Sequence, residues 1–199
     1  MSGLVLYGSR TSPFVRRVRV VGIELGLDLH LVDTTTEEGQ ARLRQVSPLW
    51  KVTVLETHDG GIIFDSHVAT DFLLHTYGPD PMRAMEPTDL RERNVMTVID
   101  GALESLINVM YLGRDGLGPG QSSYLVKQRE RASAAMAWLD EAWSTTHDTH
   151  LGLTEVALVT TLEWMTLRSA YDYSGHPHLV AQLRRWCERP SFVATRPEL

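Results

Sequence analysis

The sequence predicts an α/β unit, a small sheet covered by helices, followed by an all-α unit. Three observations carry this. Short apolar runs alternate with helical spacing over the first third of the 199 residues. Gly78-Pro79-Asp80-Pro81 then interrupts the chain, and no convincing strand follows it.

Leu4–Tyr7 reads as a strand. Phe14, Val18, Val21 and Leu25 recur at spacings of four, three and four, which predicts a helix over 13–25. Arg16, Arg17 and Arg19 fall mostly on its other faces and read as a solvated surface, with an anionic ligand as the alternative. After the Gly26-Leu27-Asp28 turn, Leu29–Val32 is a second strand. The polar stretch 34–46 is weakly helical, capped by Thr34, Thr35 or Thr36. Strands Val52–Glu56 and Ile62–Phe64 flank His58-Asp59-Gly60-Gly61, a hairpin signal, and Ser66 opens a helix to about Tyr77.

Beyond the linker, Thr88 caps a helix to about Leu112, Gly113–Gly120 is a loop, and Ser122–Ser144 is a second long helix. A third starts at Gly152-Leu153-Thr154-Glu155 and carries only Glu163 as a charge across 156–167, which predicts the middle of a bundle. Leu179–Cys187 is the last helix, ended by Arg189-Pro190. The division is 1–78, a linker at 79–87, and 88–199.

At 43% hydrophobic and 22% charged, with five tryptophans, the composition is that of a soluble globular chain. A net charge of -6 argues against a nucleic-acid partner. Cys187 is the single cysteine, which excludes a disulfide or Cys-x-x-Cys pair within the chain. The start lacks a signal-peptide pattern and no apolar run reads as long enough to span a bilayer. The expectation is a cytoplasmic protein with no membrane partner.

The most informative residues are Ser12-Pro13-Phe14-Val15, where strand gives way to helix. Backbone N–H groups and the positive helix end meet there, and a hydroxyl at that point can hold a thiolate. Serine before proline at a helix start is equally a plain cap. Both readings stand on these residues alone.

Leu-Tyr-Gly-Ser-x-Thr-Ser-Pro-Phe-Val-Arg at 6–16, Asp-Gly-Gly…Phe-Asp-Ser at 59–66, Asp100-Gly101, Gln128 and Arg-Pro-Ser-Phe-x-x-Thr-Arg-Pro at 189–197 resemble cytosolic glutathione S-transferases. The likeness is to bacterial members with an active-site serine, and it spans essentially the whole chain. It implies a thioredoxin-like α/β N-terminal domain binding glutathione and an all-α C-terminal bundle lining a site for a small hydrophobic electrophile. Glutathione is then a co-substrate, no cofactor or metal is needed, and a homodimer is expected. Ser12 is the implied catalytic hydroxyl, and the glutathione-binding set is Ser12, Phe14, Lys51, Val52, Asp65 and Ser66. Ser66 caps its helix and receives the γ-glutamyl carboxylate, Asp65 pairs with the ammonium, and Lys51 meets the glycyl carboxylate.

The chain departs from that pattern at Pro48-Leu49-Trp50-Lys51-Val52-Thr53, where Pro-x-Gly-Lys-Val-Pro with a cis-proline is expected. Trp50 replaces glycine and Thr53 replaces the proline, so a trans Val52–Thr53 bond and weakened glutathione binding are expected. Gly152 stands where a Ser/Thr cap is common. His147-Asp148-Thr149-His150 lacks a third metal ligand, and His176 and His178 flank Pro177 in a turn. His67 is read as a solvent-facing first-turn residue, with a ligand-facing role as the alternative. Cys187 reads as an inert thiol and Tyr7 as a packing residue. Trp138, Trp143 and Trp164 read as bundle core, with Tyr111 and Trp164 in reach of the electrophile.

Three readings follow. The first is a glutathione transferase or peroxidase using Ser12. The second is a ligand-binding relative that has lost catalysis, and the third is a protein-docking module.

Overall fold

A computed structural model describes residues 3–83, 85–118, 120–145 and 149–197. Strand β1 (Leu4–Gly8) pairs in parallel with β2 (Leu29–Asp33) and antiparallel with β3 (Val54–Glu56), which pairs antiparallel with β4 (Ile62–Phe64). The sheet order is β2-β1-β3-β4. A parallel pair needs a crossover, and α1 (Pro13–Glu24) supplies it. Alternation along β1 sends Leu4 and Leu6 to the face covered by α1 and α3 (Ser66–Tyr77). Tyr7 goes to the other face with Val32, Val54 and Leu43 of α2 (Glu37–Val46). Tyr7 is buried, and its hydroxyl donates to Glu56 at 2.7 Å.

Thr36 caps α2, accepting from the Gly39 N–H. Gly39 lies so close to β2 that a Cβ there would run into the Asp33 carbonyl oxygen. Gly39→Ala is therefore expected to cost about 1–3 kcal/mol, because a clash with backbone is not relieved by a rotamer change. Denaturant midpoints measure it, and a loss below about 0.5 kcal/mol would show that α2 shifts freely.

The second layer is helical: α4 (Leu90–Arg114), α5 (Ser123–Trp143), α6 (Leu153–Arg168), α7 (Pro177–Trp186) and α8 (Pro190–Ala194). Helix α6 is buried nearly all round, as its lack of charge implies. Its Val156 and Val159 join the core beneath the sheet, while Ala157, Leu158 and Leu162 join the core among α4, α5 and α7. Glu155 closes the α6 start by accepting from the Gly152 N–H at 2.9 Å. A Cβ at Gly152 would meet the ends of the Glu155 and Arg83 side chains.

Four expectations need correction. Arg16 and Arg17 are not on a solvated face; they are 1% and 0% exposed. Arg16 pairs with Glu163 of α6 at 2.5 Å and donates to the Phe192 carbonyl at 3.1 Å and Thr195 Oγ1 at 3.2 Å. The helix read as last is followed by α8, clamped to α1 where Glu24 receives Arg189 at 2.7 Å and Ser191 at 2.5 Å. Trp138 is 45% exposed and not core, unlike Trp143 and Trp164. Helix α4 is long and apolar enough to cross a membrane by length and composition, with a window of mean hydropathy 1.4. Here its Val95, Ile99, Leu103 and Leu106 pack into the helical core. His147 and Asp148 lie outside the described residues, among which no three potential ligands cluster for a metal.

Candidate functional site

The turn from β1 into α1 is tight: a Cβ at Gly8 would run into the Val15 side chain. It leaves Ser12 as the α1 cap, with its N–H bonded to the Ser9 carbonyl at 3.1 Å. Ser12 Oγ accepts from the Val15 N–H at 3.4 Å, a long bond. Among the described residues its own hydroxyl hydrogen has no acceptor, so it can donate outward. The cap and the outward donor coexist in one side chain.

Helix α3 is capped by Asp65, not by Ser66 as the sequence reading has it. Asp65 Oδ1 accepts from the N–H groups of His67 at 2.8 Å and Val68 at 3.1 Å. This is reached at φ 62, ψ 164, a conformation that non-glycine residues rarely take and that costs about 1–3 kcal/mol. In return the Asp65 N–H donates to the Thr53 carbonyl at 3.0 Å, and Oδ2 is left for a cation. Ser66, the first helical residue, has an N–H with no intrahelical acceptor.

The Val52–Thr53 bond is cis, which corrects the expected trans bond. Thr53 is buried, with its carbonyl held by Asp65 from across the turn, so the surrounding fold determines this segment. Trp50 takes φ 51, the left-handed region that favours the glycine expected there, and lies exposed with the Arg44 guanidinium 4.9 Å from its ring centroid.

These elements enclose a cleft of about 120 Å³, bordered by Phe14, Lys51, Val52, Asp65, Ser66 and His67. Five of the six residues expected to bind glutathione thus meet in one place. The sixth, Ser12, lines an adjoining cavity of about 500 Å³, of which Phe14, Lys51 and Val52 form the shared wall. Tyr111 and Trp164 reach this cavity from the helical layer. The Lys51 side chain is 69% exposed and lies 4.0 Å from Glu104.

In the wall of the cleft, with Asp100 and His67 among its lining residues, stands a charged group that sequence reasoning missed as a unit. Arg17, fully buried, forks onto Asp100 of α4 at 2.6 and 3.3 Å and approaches Ser66 Oγ at 3.5 Å. His67 Nε2 lies 2.7 Å from the same carboxylate and His67 lines the cleft, so the reading of His67 as simply solvent-facing is corrected in favour of its alternative, a place beside the candidate ligand site. Burial pushes Asp100 up, but His67 and Arg17 outweigh it and bring its pKa down to about 2. An ionised carboxylate carries no proton, so Nε2 is the donor. Asp100 itself entered the sequence reading only through Asp100-Gly101 in the family resemblance. Cys187 is half-buried on α7's end, with burial and Glu188 pushing its thiol up.

The pattern of a capped turn after β1, a cleft at the start of α3 and a helical wall has relatives. Residues 6–81 match the glutathione S-transferase N-terminal domain. An uncharacterized GST-like protein, YibF, of Escherichia coli is 26% identical over 198 residues, covering 96% of this chain and 98% of its own. A glutathione S-transferase of Methylobacterium radiotolerans, solved with glutathione sulfonate, superposes with a TM-score of 0.85 at 23% identity, over 100% of this chain and 96% of that one. One from Methylobacillus flagellatus, solved with glutathione bound, gives 0.83 at 25% identity over 98% and 100%. The chain has the glutathione transferase fold, a thioredoxin-like α/β domain followed by a helical region.

Proposed function

We propose that this protein binds glutathione in the 120 Å³ cleft and joins it through its sulfur to a small, largely hydrophobic electrophile, or uses it to reduce a peroxide, held in the larger cavity. One observation carries the reading: the two spaces share a wall of Phe14, Lys51 and Val52, as a two-substrate site requires. In this reading the free Asp65 oxygen takes the glutathione ammonium, and the Ser66 N–H and hydroxyl take the γ-glutamyl carboxylate. Lys51 offers the cation for the glycyl end.

The peptide thiol would be mostly protonated near neutral pH. A hydrogen bond from Ser12, beside the positive end of α1, favours the thiolate. The thiol proton leaves to solvent, a carbon–sulfur bond forms, and the leaving group departs with its bonding electrons. With a peroxide, sulfur attacks oxygen, releasing the alcohol and leaving glutathione sulfenic acid, which a second glutathione converts to the disulfide and water.

Calorimetric titration with glutathione, followed by a conjugation assay with 1-chloro-2,4-dinitrobenzene, tests this. Saturable binding with turnover supports it, and no heat at millimolar glutathione overturns it. A second reading, a ligand-binding relative without catalysis, is favoured by Trp50 in place of glycine at the cavity wall. Binding without turnover of any electrophile or peroxide would select it.

A further inference from the structure

The larger cavity carries an unusual charge balance for a chain of net charge -6. Its lining includes three cations, Lys51, Arg114 and Arg168, and no carboxylate. Lys51 has Glu104 within 4.0 Å on the cleft side. Arg114 and Arg168 have no ion pair among the described residues. Arg168 Nε is buried at the wall without a hydrogen-bond partner. Arg114 stands with its guanidinium 5.7 Å from the Tyr111 ring centroid.

Both arginines occupy the last turn of their helices, α4 and α6, where a cation offsets the helix dipole. That role accounts for their place in the chain. It does not account for an unpartnered buried donor or for the exclusion of every carboxylate from the lining, when acidic residues outnumber basic ones in the sequence. Tyr111, Trp164 and Trp50 line the same cavity as the two arginines. Aromatic faces suit a planar ring, and guanidinium forks suit a carboxylate.

We propose that the second ligand of this protein is an aromatic carboxylate, its ring against Tyr111 and Trp164 and its anionic group on Arg114 and Arg168. This deepens the transferase reading by naming the electrophile's class, and it rests on that reading only for the chemistry. Binding is a separate matter.

The test therefore has two arms. In the first, calorimetry at low ionic strength compares 4-nitrobenzoate with 4-nitrobenzamide, neutral and of similar size, without glutathione. The wild type is expected to bind the benzoate about tenfold more tightly, with the preference shrinking as salt is raised. Arg114→Gln/Arg168→Gln is expected to lose most of that ratio, and Arg114→Lys/Arg168→Lys to retain part of it. Equal affinity for the two ligands, or a ratio unchanged in the glutamine variant, overturns the proposal. In the second arm, glutathione conjugation of 4-chloro-3-nitrobenzoate and of 4-chloro-3-nitrobenzamide is compared as a ratio of kcat/KM across the same variants. A ratio that falls with the arginines supports the electrophile assignment, and one that does not move overturns it. If neither compound is conjugated while the benzoate preference persists, the electrophile assignment fails and the anionic-ligand assignment stands; the transferase reading is decided separately by glutathione titration and turnover of 1-chloro-2,4-dinitrobenzene.

Discussion

Asp100→Asn is expected to destabilise the fold by about 3 kcal/mol, because it strands a buried guanidinium. Arg17 is fully buried and its two strongest contacts are to the Asp100 oxygens, at 2.6 and 3.3 Å. Asparagine keeps the volume and one acceptor but removes the charge that compensates Arg17. The companion Arg17→Met/Asp100→Leu double variant is expected to recover most of the loss, since replacing both partners by apolar groups removes the desolvation penalty as well. Urea denaturation of the variants measures this. A loss below about 1 kcal/mol for Asp100→Asn would show that the pair contributes no more than an exposed one.

The same carboxylate gives a pH dependence whose sign is set by its depressed pKa. Its folded value of about 2 lies below the ordinary 3.8, so the folded state favours ionised Asp100. The contribution, about 2 kcal/mol, is complete above roughly pH 4–5 and is lost as pH falls toward 2. Wild type and Asp100→Asn should thus converge in stability as the pH is lowered through that window. Parallel curves down to pH 2 would remove Asp100 from the acid response.

Ser12→Ala is expected to lower kcat/KM for glutathione conjugation by about 10–100-fold, the worth of one hydrogen bond to a charged sulfur. The pKa of enzyme-bound glutathione, followed as thiolate absorbance, is expected to rise by about one to two units. Glutathione affinity should change little, since the cleft proposed to take the peptide is bordered by Phe14, Lys51, Val52, Asp65 and Ser66. Loss of the Ser12 cap also costs about 1 kcal/mol of stability, read in the same variant by thermal melting. An unchanged thiol pKa with full turnover would leave Ser12 as a cap alone.

Most of the candidate site was legible because it lies where element ends carry local signals. Ser12 before Pro13 marks a helix start, and Ile62–Phe64 into Asp65-Ser66 marks a strand-to-helix turn. Which of Asp65 and Ser66 would cap was not legible, since both are good caps and the choice rests on the φ of one residue. Arg17 and His67 were misjudged for a different reason. A charged residue on a helix is normally solvated, and nothing local shows that Asp100, 83 residues away, comes to meet Arg17.

Residue order and spacing by themselves determined the α/β unit, the central apolar helix and the turns that present Ser12, Asp65 and Ser66. These are short-range properties: periodicity, capping and turn chemistry act within a few residues. Tertiary structure alone decided that Arg16 and Arg17 are buried, that α8 closes onto α1, and that the polar cleft opens beside a cationic, aromatic cavity. Burial and charge pairing depend on what the rest of the chain brings alongside. No local pattern encodes a partner contributed from another layer of the fold.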